Sequence, residues 1–212
     1  PQQIEATITQ ISRIATIIIG GAPISKSLEG QLTLLSNQLY ATYGMTETVS
    51  HIALRKLTKE GNETYTALPG ISLSVNSESC LVISSPTLLN HTITTTDIVQ
   101  QQDSNSFNWM GRADFVINSG GIKVSPEKME ATISHLISNS FFFYGKPDEK
   151  WGQKVVLIIE GQPFNTDQLK GQLNSFLTTY QIPKEILFVS KFIRTENGKL
   201  NRVASAKSEN TN

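Results

Sequence analysis

The sequence contains a single cysteine, Cys80, in 212 residues, which excludes an internal disulfide and fits a reducing compartment. Its three histidines, His51, His91 and His135, show no metal-ligand spacing. Charge of one sign is also lacking. With 18 basic and 18 acidic residues, the chain offers no electrostatic footprint for nucleic acid or for an anionic membrane. The apolar run TIIIGG at 16–21 is far too short to span a bilayer. The first residues, PQQIEATITQ, lack the basic start and apolar stretch of a secretion signal. No internal repeat or low-complexity segment is present. These absences describe a soluble, cytoplasmic chain, long enough for one large domain or two small ones.

What is there falls into three textures. IATIII at 14–19 is a β-branched run ending at Gly20-Gly21, which predicts a buried strand entering a tight turn. Ser25 then stands where an N-cap belongs, before Leu28, Leu32 and Leu35 at helical spacing. LYATYG follows as a second strand, so the segment reads as a strand–helix–strand unit of an α/β sheet. Alone, such a unit leaves apolar sheet surface uncovered, to be buried against other chain or a second copy. From about 57 to 112, ISLSV, CLVIS, HTITTTDIV and FNWMG alternate with turn residues, predicting a small β-rich subdomain.

Beyond Gly111 the chain reads as a complete α+β domain. DFVINSGGIKV suggests a hairpin turning at Ser119-Gly120-Gly121, and Ser125-Pro126 starts a helix expected near 126–138 with Met129, Ile133, Leu136 and Ile137 inward. FFFYG, KVVLIIEG and ILFVS are strands, and a helix near 166–180 turns Leu169, Leu173, Phe176, Leu177 and Tyr180 to one side. The polar tail RTENGKLNRVASAKSENTN is expected to fray after the arginine.

One stretch asks for a chemical explanation. ATYGMTET at 41–48 puts an aromatic, a glycine and a hydroxyl–carboxylate–hydroxyl triplet together, which ordinary strand or helix formation does not require. Thr46 and Glu47 supply a hydroxyl donor and a hard oxygen ligand, the groups wanted by a phosphate and its divalent cation. Tyr43 supplies a flat face for a base.

Four motifs, GGAP at 20–23, YGMTET at 43–48, GRADFVINSGGIKVSPEKME at 111–130 and TENGKLNR at 195–202, together with Asp97 in TTTD, resemble the adenylate-forming superfamily of acyl-CoA synthetases, luciferases and peptide-synthetase adenylation domains. The resemblance extends over nearly the whole chain. It implies the end of a large AMP-binding domain at 1–111, a hinge at 112–114 centred on Asp114, and a small α+β lid at 115–212. It also implies a two-step reaction in which a small carboxylic acid attacks the α-phosphate of MgATP and the thiol of CoA then displaces AMP. In that scheme Gly20, Gly21 and Ala22 line the adenine and acyl pocket, and Tyr43 stacks on adenine. Thr46 donates to the α-phosphate and Glu47 holds Mg²⁺. Asp97 takes the ribose hydroxyls, Arg112 reaches the ribose and phosphate side, and Gly120 and Gly121 flank the pantetheine path. Lys199 is the catalytic lysine of adenylation.

The chain departs from the superfamily pattern in three ways. Thr96 stands where a glycine usually precedes the aspartate, and Ile193 stands where a proline starts the lysine loop, which is expected to loosen that loop. The glycine- and hydroxyl-rich phosphate loop is absent from this sequence. The chain therefore reads as the C-terminal half of a longer acid–thiol ligase, inactive by itself. The alternative is a non-catalytic nucleotide- or CoA-binding module, or a subunit completed by a separate chain.

Overall fold

β1 (Thr16–Ile19) runs parallel to β2 (Gln38–Gly44), and the intervening helix α1 (Lys26–Leu32) covers one side of the pair. Successive strand side chains point to opposite faces. Ile17 and Ile19 pack with Leu28 and Leu32 of α1, and Ile18 is left 53% exposed. The buried strand expected from TIII is thus an edge strand covered on one face only. The structure is a computed structural model describing residues 11, 13–21, 24, 26–89, 91–196 and 198–208. Ser25, the expected N-cap, lies outside the described residues.

Two strands that the hydropathy pattern hides, β3 (His51–Lys56) and β4 (Thr64–Ala67), join this unit to the β-rich stretch. That stretch comprises β5 (Ser72–Val75), β6 (Cys80–Ser84), β7 (Thr92–Asp103) and β8 (Ser106–Arg112). The eight strands form one sheet in the order β1-β2-β3-β4-β8-β7-β6-β5. β3 tolerates its arginine because Arg55 is buried against Glu29 of α1, its two guanidinium nitrogens lying 2.8 and 3.2 Å from the carboxylate oxygens. Charge burial is bearable only when paired in this way. Ile52, Ala53, Leu81, Ile83, Val99 and Phe107 form the apolar core of this second part.

The chain divides into two units between Ala113 and Asp114. In the second, β9 (Ile117–Ser119) and β10 (Ile122–Val124) make a hairpin through Gly120 and Gly121. α2 (Pro126–Ile133) follows, its start capped by Ser125 and its first position held by Pro126. β12 (Gly152–Glu160) pairs with β11 (Phe141–Asp148), with β13 (Glu185–Val189) and, through Gly152, with β9. One face of β12 packs Val155, Leu157 and Ile159 on α2 and α3 (Asp167–Phe176). The other packs Val156 and Ile158 on Phe142, Val189 and Phe192. Coverage on both faces explains the uninterrupted VVLII run.

Three expectations are corrected here. α2 stops at Ile133 rather than near 138, and Ser134–Leu136 form a turn. The Ser134 hydroxyl bonds the Ala131 carbonyl there, a local competitor of helical pairing. α3 ends at Phe176, so Phe176 and Tyr180 face solvent and Leu169, Leu173 and Leu177 carry the packing. Within the described residues the tail does not fray after the arginine. Arg202–Lys207 form α4, capped by the Asn201 side chain, with Ser205 and Ala206 buried.

Candidate active site

The parallel pairing of β1 and β2 brings Gly20-Gly21 and YGMTET to the same sheet edge, where the chain leaves the carboxyl ends of both strands. That edge is where open α/β sheets take ligands. Gly20 lies against Thr42 so closely that a Cβ would collide with the threonine hydroxyl. Gly21 has φ +88 and open space beside it. Ala22 lies outside the described residues.

The register of β2 against β3 slips at Tyr43/Gly44. A Cβ on Gly44 would stand 2.6 Å from the Ser50 carbonyl oxygen and 2.7 Å from the His51 Cα, so only glycine allows the two backbones to close there. Residues 46–48 then form a short 3-10 turn. Thr48 is buried, and its Oγ1 accepts from the Met45 amide at 2.9 Å. The same hydroxyl lies 2.9 Å from the Met45 carbonyl and 2.7 Å from that of Ser50. It ties both ends of the turn together. Thr46 and Glu47 project from the turn exposed. Val49 closes it with φ 64, a region that β-branched residues rarely occupy and that clusters at functional sites. Gly44→Ala is expected to lower stability by ~1–3 kcal/mol through this overpacking, measured by denaturant unfolding.

Asp97 sits within β7, buried, directly opposite Arg112 on β8. The Tyr43 hydroxyl donates to Asp97 Oδ2 at 2.6 Å and the Trp109 indole Nε1–H donates to Oδ1 at 3.0 Å. Each carboxylate oxygen keeps a lone pair for another donor. The Tyr43 ring packs edge-on to Phe107 and Tyr65, at centroid distances of 5.1 and 5.9 Å. Burial, and then the Asp97 charge, push the Tyr43 phenol far above its ordinary range. A phenol raised in the folded state contributes stability that is complete below about pH 10 and lost as pH rises beyond it. Tyr43→Phe should therefore cost ~1.5–3 kcal/mol at neutral pH, on the scale of a bond to a charged acceptor. It should also flatten the alkaline decline in stability, read from melts between pH 8 and 11.

In the second unit Gly120 and Gly121 adopt φ +61 and +81, which the hairpin requires. The Gly120 amide donates to the Trp151 carbonyl at 2.9 Å, and a Cβ on Gly120 would meet the Trp151 ring at 2.8 Å. Trp151 is half-buried. Asp114 lies in a short turn, Ala113–Phe115, at the start of this unit.

Lys199 is exposed on a tight turn closed by Gly198 N–H to the Thr195 carbonyl and Thr195 N–H to the Lys199 carbonyl, each 2.8 Å. The loosening expected from Ile193 in place of proline is not found. Its amide donates to the buried Ser205 Oγ at 2.8 Å, a bond proline cannot make. Its carbonyl accepts from the Asn201 amide at 2.9 Å. Among the described residues no cluster of three or more His, Cys, Asp or Glu side chains is placed to hold a metal. No described helix is long and apolar enough to cross a membrane.

A strained hydroxyl–carboxylate turn and an oriented aspartate lie on one sheet, and a small α+β unit displaying a lysine follows in the chain. Residues 130–199 match the AMP-binding enzyme C-terminal domain. It is 27% identical over 209 residues to the 2-succinylbenzoate–CoA ligase of Listeria monocytogenes, covering 89% of this chain and 45% of that protein. The structure of an acyl-CoA synthetase (AMP-forming)/AMP-acid ligase II-like protein from Dyadobacter fermentans is 39% identical, with a TM-score of 0.51. It covers 97% of this chain and 61% of that one. The o-succinylbenzoate CoA synthetase of Bacillus subtilis, in complex with the acyl-adenylate OSB-AMP, shares the fold at a TM-score of 0.79 and 20% identity, covering 95% of this chain and 49% of that one. The chain spans about half the length of the curated relatives it matches.

Proposed function

We propose that this chain is part of an acid–thiol ligase that activates a carboxylate with ATP and passes it to CoA through an acyl-adenylate, with o-succinylbenzoate, a precursor in menaquinone biosynthesis, as the acid. The wording of YGMTETVSHIALRKL and SGGIKVSPEKME supports the choice of acid, as does the Listeria relative. The observation that carries the reading is the turn at 45–50: Gly44 and Thr48 close it, and it leaves a hydroxyl, Thr46, and a carboxylate, Glu47, exposed side by side.

In this reading Asp97 accepts from the ribose hydroxyls with the lone pairs that Tyr43 and Trp109 leave. Tyr43 lies against adenine, Gly20, Gly21 and Ala22 line the pocket, and Arg112 faces the ribose and phosphate side. Thr46 donates to an α-phosphate oxygen. A single exposed carboxylate suits magnesium, which keeps several waters and takes its other ligands from phosphate, so Glu47 would hold the ion. The ion would supply charge neutralisation on the phosphates. Lys199 holds a positive charge for the carboxylate and the α-phosphate, where negative charge gathers in the transition state. Gly120 and Gly121 leave room for pantetheine. Residues 1–111 belong to the AMP-binding domain and 115–212 to the lid, with Asp114 as the hinge between them.

The test is acyl-CoA formation by the intact enzyme containing this chain, given ATP, magnesium, CoA and a panel of carboxylates. o-Succinylbenzoate should give the highest kcat/KM. A preference for fatty or aryl acids would move the assignment to another branch of the superfamily, and no acyl-CoA from any acid would refute the reading.

A further inference from the structure

The Lys199 turn is short and exposed, and what anchors it to the rest of the unit lies three residues further along. Arg202 opens α4, and its Nη2 donates to Glu130 Oε2 of α2 at 2.7 Å, with Nη1 on Oε1 completing a two-pronged pair. The two side chains are 12% and 18% exposed. Glu130 Oε1 also accepts the Phe143 amide of β11 at 2.9 Å. The guanidinium lies over the rings of Phe115, at 4.9 Å, and Phe142, at 5.6 Å. One acidic side chain thus ties the foot of the lysine turn to α2 and β11 at once. The other foot is held by the Ile193 amide on Ser205 of α4 and by the Phe192 amide on Glu160 at 2.7 Å.

A buried ion pair contributes little net stability compared with apolar replacements of similar size. What a two-pronged arginine pair does supply is a fixed direction. A displacement of about 1 Å in a catalytic group can cost on the order of 10²-fold in rate. We propose that Glu130 is a positioning residue for Lys199, holding Arg202 so that the lysine turn keeps one geometry during adenylation. This rests on the role given to Lys199 above.

Glu130→Gln keeps the shape and an acceptor for Phe143 and removes the charge. In the intact enzyme it should lower the kcat of adenylate formation about tenfold or more, with the KM for ATP within about twofold. Thioester formation from presynthesised acyl-adenylate should be unchanged. Amide exchange at Thr195, Gly198 and Asn201 should quicken, while Val156 and Ile158 in β12 keep their protection. A second variant, Glu130→Gln with Arg202→Met, removes both buried charges. It should regain the wild-type melting temperature without regaining the adenylation rate, which also covers the case in which the single variant fails to fold. Recovery of rate together with melting temperature would show a purely structural staple and overturn the proposal, as would equal losses in both half-reactions. If the wild type makes no adenylate, the functional reading fails, and exchange at the three turn amides still decides the clamp: unchanged exchange in the variant rejects it.

Discussion

Lys199→Ala in the intact enzyme is expected to lower acyl-adenylate formation by ~10²-fold or more, the size typical for loss of a preorganised charge. Thioester formation from presynthesised adenylate should be nearly untouched, because no charge gathers on phosphorus in that step. The structure makes the substitution clean. Lys199 is exposed, and its turn is held by main-chain bonds and by Thr195 Oγ1, 3.2 Å from the Lys199 amide. Removing the ammonium therefore leaves the turn in place and should move stability by no more than about 0.5 kcal/mol. Single-turnover assays of the two half-reactions separate the roles. Equal losses in both would reject the assignment of Lys199 to the first.

Glu47→Gln should be the second largest effect. The side chain projects from a turn whose geometry is set by Gly44 and Thr48, so the amide should fold normally, with melting unchanged. Magnesium-dependent ATP use should weaken by about 10–100-fold, since an amide offers one neutral oxygen where a hard cation prefers charge. The defect should shrink as magnesium is raised, and the KM for CoA should stay the same. A variant with normal magnesium dependence would return Glu47 to the solvent as an ordinary turn carboxylate.

The sequence announces most clearly what local pattern controls. β12 is legible in VVLII because both of its faces are covered, and the β9–β10 hairpin is legible in its two glycines. Ser125-Pro126 marks the start of α2 to the residue. The end of α2 is not marked, because nothing in the sequence distinguishes a closing turn at 134–136 from another turn of helix. β3 is hidden because its arginine finds a partner 26 positions away on α1, and α4 because a short helix of RVASAK looks like any polar tail until Ser205 is seen buried beneath the lysine turn.

The candidate site divides in the same way. Thr46, Glu47 and Lys199 are recognisable from motif wording, since exposed functional groups carry no packing constraint that would explain them otherwise. The contacts that orient the site are not recognisable. Tyr43 meets Asp97 across 54 positions and Trp109 meets it across 12, and neither pairing leaves a local signal. Tyr43 illustrates the gap: its ring could be assigned to a base from the motif, whereas its hydroxyl bond to the aspartate appears only when β2 and β7 share a sheet. Thr48 carries no signal of its own, because the second hydroxyl in TET looks equivalent to the first, although one is buried and the other exposed.

The central claim is that the carboxylate is activated as an adenylate, and an oxygen label tests it directly. The intact enzyme is given o-succinylbenzoate with both oxygens of the activated carboxylate as ¹⁸O, with ATP, magnesium and CoA, and AMP is isolated after thioester formation. Attack of a carboxylate oxygen on the α-phosphorus expels pyrophosphate, and thiol attack then breaks the acyl carbon–oxygen bond, leaving that oxygen on AMP. The account predicts one ¹⁸O in AMP per turnover and none in pyrophosphate. Label in inorganic phosphate, or unlabelled AMP beside labelled thioester, would contradict it.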